Sequence, residues 1–210
     1  ADNLLFAHFA RASSPGQADV LVFDISDPLS PKDVHQFDRD VPSMAVSGHY
    51  AFIGFNRPTD PDRNNRSGVE VYDMSQPASP EFKARISTEG YPQEAVVSGD
   101  ALLIGTFNNG YQSDESDGYQ IYDITDPAAP KIKTGLYSTE PGHFSTRYLY
   151  NGAFATDTGF VVNIAVDEYQ YDLVYPHGYT YPRWELRSEK NYLYLYALDK
   201  DKAYSPRALY

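Results

Sequence analysis

The chain has 210 residues, with 29 acidic against 17 basic side chains, a net charge of −12, 41% hydrophobic residues and no cysteine. Such a length holds one domain or two small ones and buries roughly 70% of its unfolded surface, so a core forms without a metal or disulfide staple. The charge argues against a nucleic-acid partner, which needs clustered Lys and Arg. The missing cysteines exclude disulfides, thiolate metal sites, Cys nucleophiles and haem attached through Cys-x-x-Cys-His. No apolar run approaches the ~20 residues of a membrane-spanning helix. The chain opens on Ala1 without a signal-peptide pattern, which reads as a processed chain or a piece of a longer one. An acidic, Tyr-rich, cysteine-free chain suits an extracellular, cell-surface or periplasmic place.

Taken in order, the chain repeats itself. NLLFAHF and VLVFDIS read as strands, because Val, Leu and Phe recur at the strand period before Asp24. Asp-Pro then stops the strand, a second Pro restarts the chain in an extended conformation, and KDVHQFD reads as another strand. The next copy runs through PSMAVSG, HYAFIGF, VEVYDMSQPASP and PEFKARIS, and the third through PQEAVVSG, ALLIGTF, YQIYDITDPAAP and PKIKTGLY. The turn segments end at Pro31, Pro80 and Pro130, spaced by 49 and 50 residues. A degraded fourth copy runs through FSTRYLYNG, GFVVNIAV and YLYLYALDKDKAYSP to Pro206, and its extra length lies between Asp167 and Lys190. Asp24, Asp73 and Asp123 recur at the strand ends, where their carboxylates are expected to accept backbone N–H bonds in the turn.

Four short strands per repeat of about 50 residues, with no helical periodicity, predict an all-β chain of β-propeller blades. The blades span approximately residues 1–40, 41–88, 89–139 and 140–210, and the first lacks its inner strand. The string VLVFDISDPLSP, with VEVYDMSQPASP and YQIYDITDPAAP, resembles the LVIVD-repeat family of bacterial and archaeal propellers. The pattern in SGHYAFIG and SGDALLIG resembles it too. The resemblance implies a propeller fold, larger rings, and secreted or surface proteins of varied role. It implies almost no specific chemistry. Three arrangements stay open: a segment of a longer propeller, a ring completed by another chain or copy, and a four-bladed ring.

Function is expected at one end of the blades. The tight Asp-Pro turns lie at one end. The long second-to-third strand connections, Ala10 to Ala18, Asn56 to Gly68, Asn108 to Gly118 and Asp167 to Lys190, lie at the other. Asp60, Asp62, Asn64 and Asn65 in the second connection, and Asp114, Glu115 and Asp117 in the third, are candidate Ca2+ ligands, because calcium takes six to eight oxygens. Asp60-x-Asp62-x-Asn64 copies the start of a calcium loop. The glycine and glutamate that complete one are out of place, and Arg63 and Arg66 dilute the charge, so a solvated acidic loop is the plain alternative. The fourth connection holds five Tyr and the chain's single Trp. Trp184, Tyr179, Tyr181 and His177 are its candidate contacts for a protein or a sugar ring, against the alternative of a loop packed over the blade.

The leading expectation is a non-catalytic module that binds a protein or carbohydrate, or another chain that completes the propeller. The alternative is a carbohydrate-active lyase or hydrolase with its site at the channel mouth. There His143, Arg147 and Glu94 are weak candidates, since His titrates near neutral pH and paired carboxylates hydrolyse glycosides. No nucleophile elbow, zinc motif, phosphate loop or dinucleotide fingerprint is present, so no nucleotide cofactor is expected.

Overall fold

A computed structural model describes residues 3–10, 18–37, 41–57, 62, 66–88, 90–107, 118–137, 144–156, 159–174, 181–197 and 207–208. These residues form fifteen strands in four antiparallel sheets, with no helix among them. The first sheet is three-stranded, with β1 Leu4–Ala10, β2 Ala18–Asp24 and β3 Lys32–Phe37 in that order. The second holds β4 Met44–Ser47, β5 Tyr50–Asn56, β6 Ser67–Asp73 and β7 Glu81–Ser87. The third holds β8 Tyr91–Ser98, β9 Ala101–Phe107, β10 Gly118–Asp123 and β11 Lys131–Tyr137. The fourth holds β12 Phe144–Thr156, β13 Gly159–Val174, β14 Tyr181–Ala197 and β15 Arg207–Ala208. Each is a simple up-and-down meander, the form of a propeller blade, and among the described residues the first blade has no inner strand.

Local chemistry sets the hairpins. The first two strands of the second and third sheets join through two-residue turns, Gly48–His49 and Gly99–Asp100, between the pairs Ser47↔Tyr50 and Ser98↔Ala101. Gly48 and Gly99 have φ of 56° and 52°, the left-handed region that such turns demand. After each motif Asp the next N–H returns to the preceding strand: Ile25 to Asn3 at 2.8 Å, Met74 to His49 at 2.7 Å and Ile124 to Asp100 at 2.8 Å. The last two strands of each of the first three sheets carry a bulge at the same place, between Val22 and Phe23, Val71 and Tyr72, and Ile121 and Tyr122.

The core lies between sheets. Val20, Val22 and Phe37 of the first sheet pack with Val41, Ala51, Ile53 and Met74. Phe52, Val69, Val71 and Ile86 of the second pack with Ala95, Leu102, Ile104, Tyr122 and Ile124. Alternate residues of β5 therefore enter two different clusters, as the strand period requires. A strand covered on both faces reads as a continuous apolar run, which accounts for AFIGF and ALLIG. Each such side chain contributes roughly 1.5–3 kcal/mol on burial. The fourth sheet meets the third through hydrogen bonds between β12 and β8, and its Phe160 and Val162 are buried. The Ala153 N–H donates to Glu94 Oε2 at 3.1 Å, and Ser98 Oγ donates to the Thr156 carbonyl at 2.6 Å.

One expectation is corrected. Within Asp167 to Lys190, residues 167–174 and 181–190 are strand rather than open loop. β13 continues to Val174 and β14 begins at Tyr181, paired without a break in register from Asp172↔Arg183 through Tyr171↔Trp184 and Gln170↔Glu185 to Tyr169↔Leu186. The reason is the alternation Tyr169, Tyr171, Leu173 against Gln170, Asp172, Val174. Aromatic and β-branched residues favour a strand even where half the positions are polar.

Candidate functional site

Each sheet has two ends of different character. At the Asp-Pro end, one arrangement occurs three times. Asp24 Oδ1 accepts from the Ser26 N–H at 2.9 Å and from Ser26 Oγ at 2.6 Å. Asp73 does the same with Ser75, and Asp123 with Thr125, at the same 2.9 and 2.6 Å. The expected Asx role of these carboxylates is therefore what the structure shows. A second layer follows, in which Asp27 accepts from the Leu29 N–H and Asp126 from the Ala128 N–H, each at 3.1 Å. The hydroxyl bond first, and the N–H bond second, hold Asp24 and Asp73 below the ordinary carboxylate value and lower Asp123 to about 2. Lys83 and Lys133, the extra residues of the two bulges, add their ammonium groups 3.7 Å from Asp73 and 3.1 Å from Asp123. These acids are committed to the turn and are not poised to react.

At the opposite end the sheets differ. In the second sheet the carboxylate of Glu70 is only 2% exposed and receives Arg85 at 2.6 Å, Arg57 at 3.2 Å and the Tyr72 hydroxyl at 2.7 Å. The two guanidinium groups lie 5.2 and 5.0 Å from the centre of the Phe55 ring, over its negative face. Burying a carboxylate is tolerable only with such full pairing. Arg57 directly follows β5, and its N–H meets the Arg66 carbonyl across the connection. Glu70 thereby pins the start of the second connection. Sequence reasoning missed it. The available clue was one acid in the run VEVY, with Arg85 opposite in β7.

In the fourth sheet that end is a ribbon. β12 pairs with β13 as far as Phe144↔Gln170, so among the described residues Tyr171–Val174 pair with β14 alone. Alternation places Tyr169, Tyr171 and Leu173, with partners Leu186, Trp184 and Pro182, on one face of the ribbon. Gln170, Asp172 and Val174, with Glu185, Arg183 and Tyr181, fall on the other. Trp184 and Tyr181 are thus three residues apart on opposite faces. Tyr171, paired with Trp184, was not among the expected contacts, although the same alternation points to it.

The other candidates are distributed as follows. Glu94 bridges β8 to the β12 backbone, a structural task. Arg147 lies on β12 opposite Asp167. Asp62 lies exposed in the second connection. His143, His177, Tyr179, Asp60, Asn64, Asn65, Asp114, Glu115 and Asp117 lie outside the described residues. Among the described residues, no three His, Asp or Glu side chains gather as a metal site would require.

Compared with known families, the chain matches the LVIVD repeat over residues 38–58. That stretch contains β4, the Gly48–His49 turn and β5, so the match rests on SGHYAFIG rather than on the Asp-Pro turns. The chain thus carries an LVIVD repeat within an array of propeller-like blades. No curated protein matches it.

Proposed function

We propose that this chain is a non-catalytic binding module outside the cytoplasm, which contacts a protein or carbohydrate through the second-to-third strand connections at one end of its blades. The observation that carries the reading is the β13–β14 ribbon. It runs past its neighbours and sets a Tyr, Trp, Leu and Pro face opposite a polar and charged one. Large aromatic residues give much contact area for little lost side-chain freedom, which is why binding surfaces concentrate them. The acidic, cysteine-free composition supports the compartment. Rigid sheets that present variable connections are a common basis for binding. The carbohydrate-active alternative gains nothing at Glu94, whose carboxylate is engaged by the Ala153 N–H.

The test excises residues 171–184 and bridges Gln170 to Glu185 with Asn-Gly, a pair suited to a two-residue hairpin. The intact and shortened chains are passed over a glycan array and an immobilised set of extracellular-matrix proteins. The shortened chain is expected to keep its far-ultraviolet spectrum and melting temperature and to lose capture. Trp184, the only Trp, reports independently, and its emission should shift to the blue as the captured ligand is titrated. Undiminished capture by a folded, shortened chain would remove the ribbon from the binding face.

A further inference from the structure

The second sheet carries a charge cluster that its fold does not require. The cross-strand pair Glu70↔Arg85 falls where the first sheet has Leu21↔Gln36 and the third has Gln120↔Gly135. The outer hairpins of both neighbours form with neutral residues there. Desolvating a carboxylate is unfavourable, and uncharged residues of similar volume commonly serve stability as well or better. Stability of the blade therefore does not account for the cluster.

Its geometry is that of a receptor. Arg85 and Arg57 each bring Nη2 to one oxygen, Glu70 Oε1, at 2.6 and 3.2 Å, while Oε2 accepts from the Tyr72 hydroxyl at 2.7 Å. Glu70 is buried, yet the Arg85 and Arg57 side chains are 30% and 40% exposed. Both guanidinium groups also rest against the buried ring of Phe55. A buried acid and a ring thus fix two like charges side by side, with part of each in solvent. Like charges held together repel, and an anion placed against both relieves the repulsion. Arg57 makes its one side-chain hydrogen bond among the described residues through Nη2, so most of its planar fork faces outward. The surroundings select the ligand. A guanidinium fork matches the two oxygens of a carboxylate. Phe82, 49% exposed on β7, has its ring centre 5.9 Å from the Arg85 guanidinium and offers an apolar contact beside the charge. The chain as a whole carries −12, so a polyanion is repelled at long range and a single carboxylate far less.

We infer that Arg57 and Arg85, oriented by Glu70, bind one carboxylate side chain of a protein partner, a Glu or Asp next to an apolar residue that covers Phe82. The inference rests on the reading of this end of the blades as the binding end, and it uses no residue of the ribbon.

Magnetic resonance of the arginine Nε–H groups in the intact, isotope-labelled chain tests it. The probe is N-acetyl-Leu-Glu amide, with N-acetyl-Leu-Gln amide as its neutral control. The Glu probe is expected to shift the Arg57 and Arg85 signals saturably, and the Gln probe to bind about tenfold more weakly or less. Arg57→Lys keeps the charge beside Glu70 but removes the fork, so it should weaken the Glu probe about tenfold at an unchanged urea midpoint. The chain shortened by residues 171–184 should bind the Glu probe as the intact chain does. The absence of a saturable shift, equal binding of the two probes, or an Arg57→Lys chain that binds like its parent overturns the inference. Tighter binding of trigalacturonate than of the Glu probe overturns the choice of a protein over an acidic glycan. Each of these failures leaves the ribbon test standing, because the Glu probe reads this cluster alone.

Discussion

The two ends of a blade obey opposite rules, and the second sheet shows both within a few residues. At its turn end, where Gln76-Pro77 stands in place of Asp-Pro, Asp73 repeats the bonds of Asp24 and Asp123 almost atom for atom, with the 2.9 and 2.6 Å pair kept through all three turns. At the other end, Arg57, Glu70 and Arg85 form a cluster that neither neighbour can copy, since Leu21 and Gln120 hold the places of Glu70. The turn end is thus made of cheap, local, exposed interactions used repeatedly. The connection end depends on one buried charge network in one sheet and on a ribbon in another. Repetition maintains the architecture, and departure from repetition marks where a blade acquires an individual role.

The comparison is broken most severely at the connection end. Glu70→Ala takes the shared acceptor from two guanidinium groups that are themselves 40% and 30% exposed, so solvent screening brings the expected cost below that of a fully buried pair, to about 2–4 kcal/mol. Equilibrium urea denaturation checks it, and a loss under about 1 kcal/mol would mean that water already reaches the site. Gly68→Ala comes next. Gly68, the second residue of β6, has φ 153°, and an added Cβ would lie 2.0 Å from the Ile86 carbonyl oxygen, so the backbone of β6 or β7 must move. A loss of about 2–3 kcal/mol is expected from strain of this kind, read as a lowered melting temperature. A near-neutral result would show that the second connection absorbs the shift.

Much of this was legible in the sequence, for reasons that follow the same division. The strands around AFIGF and ALLIG could be read because both faces are buried and nothing polar interrupts them. The tight hairpins could be read because Ser-Gly supplies the left-handed residue at Gly48 and Gly99. The three-strand count of the first sheet, against four in each of the others among the described residues, could be read from the repeat itself. The ribbon was misread because Asp167, Glu168, Gln170 and Asp172 give it the polarity of a loop, and only the cross-strand pairing with Arg183, Glu185 and Ser188 reveals a two-sided ribbon. Glu70 left only the faint clue of one acid in the run VEVY. A Glu between two buried Val is ordinary for a sheet with one wet face, and it becomes a buried ion only because the first sheet covers that face. Its burial is a tertiary fact that the local run does not fix.

The smallest expected effect sharpens the comparison at the turn end. Asp123→Ala removes two hydrogen bonds and the Lys133 contact, but the site is largely exposed and screened, so the cost should be about 1 kcal/mol or less. Its pH dependence is more telling than its size. Asp123 is held at about 2 in the folded chain against an ordinary 3.8, so folding favours the carboxylate. Its contribution is therefore complete above about pH 4 and is lost as the pH falls toward 2, because protonation then takes the acceptor from Thr125. Asp24 and Asp73 shift in the same direction for the same first cause, a hydroxyl donor two residues on. Urea midpoints measured between pH 6 and pH 2 should fall most steeply in that acid window, and Asp123→Asn should flatten the fall by the share of one turn. If the three Asp→Asn variants each remove a similar share, the turns are energetically equivalent as well as geometrically alike. If Asp24 removes a markedly smaller share, the difference lies in the bulge, where Val34 stands in place of the Lys83 and Lys133 of the later sheets. The outer-strand cation would then be the part of the turn that does not repeat.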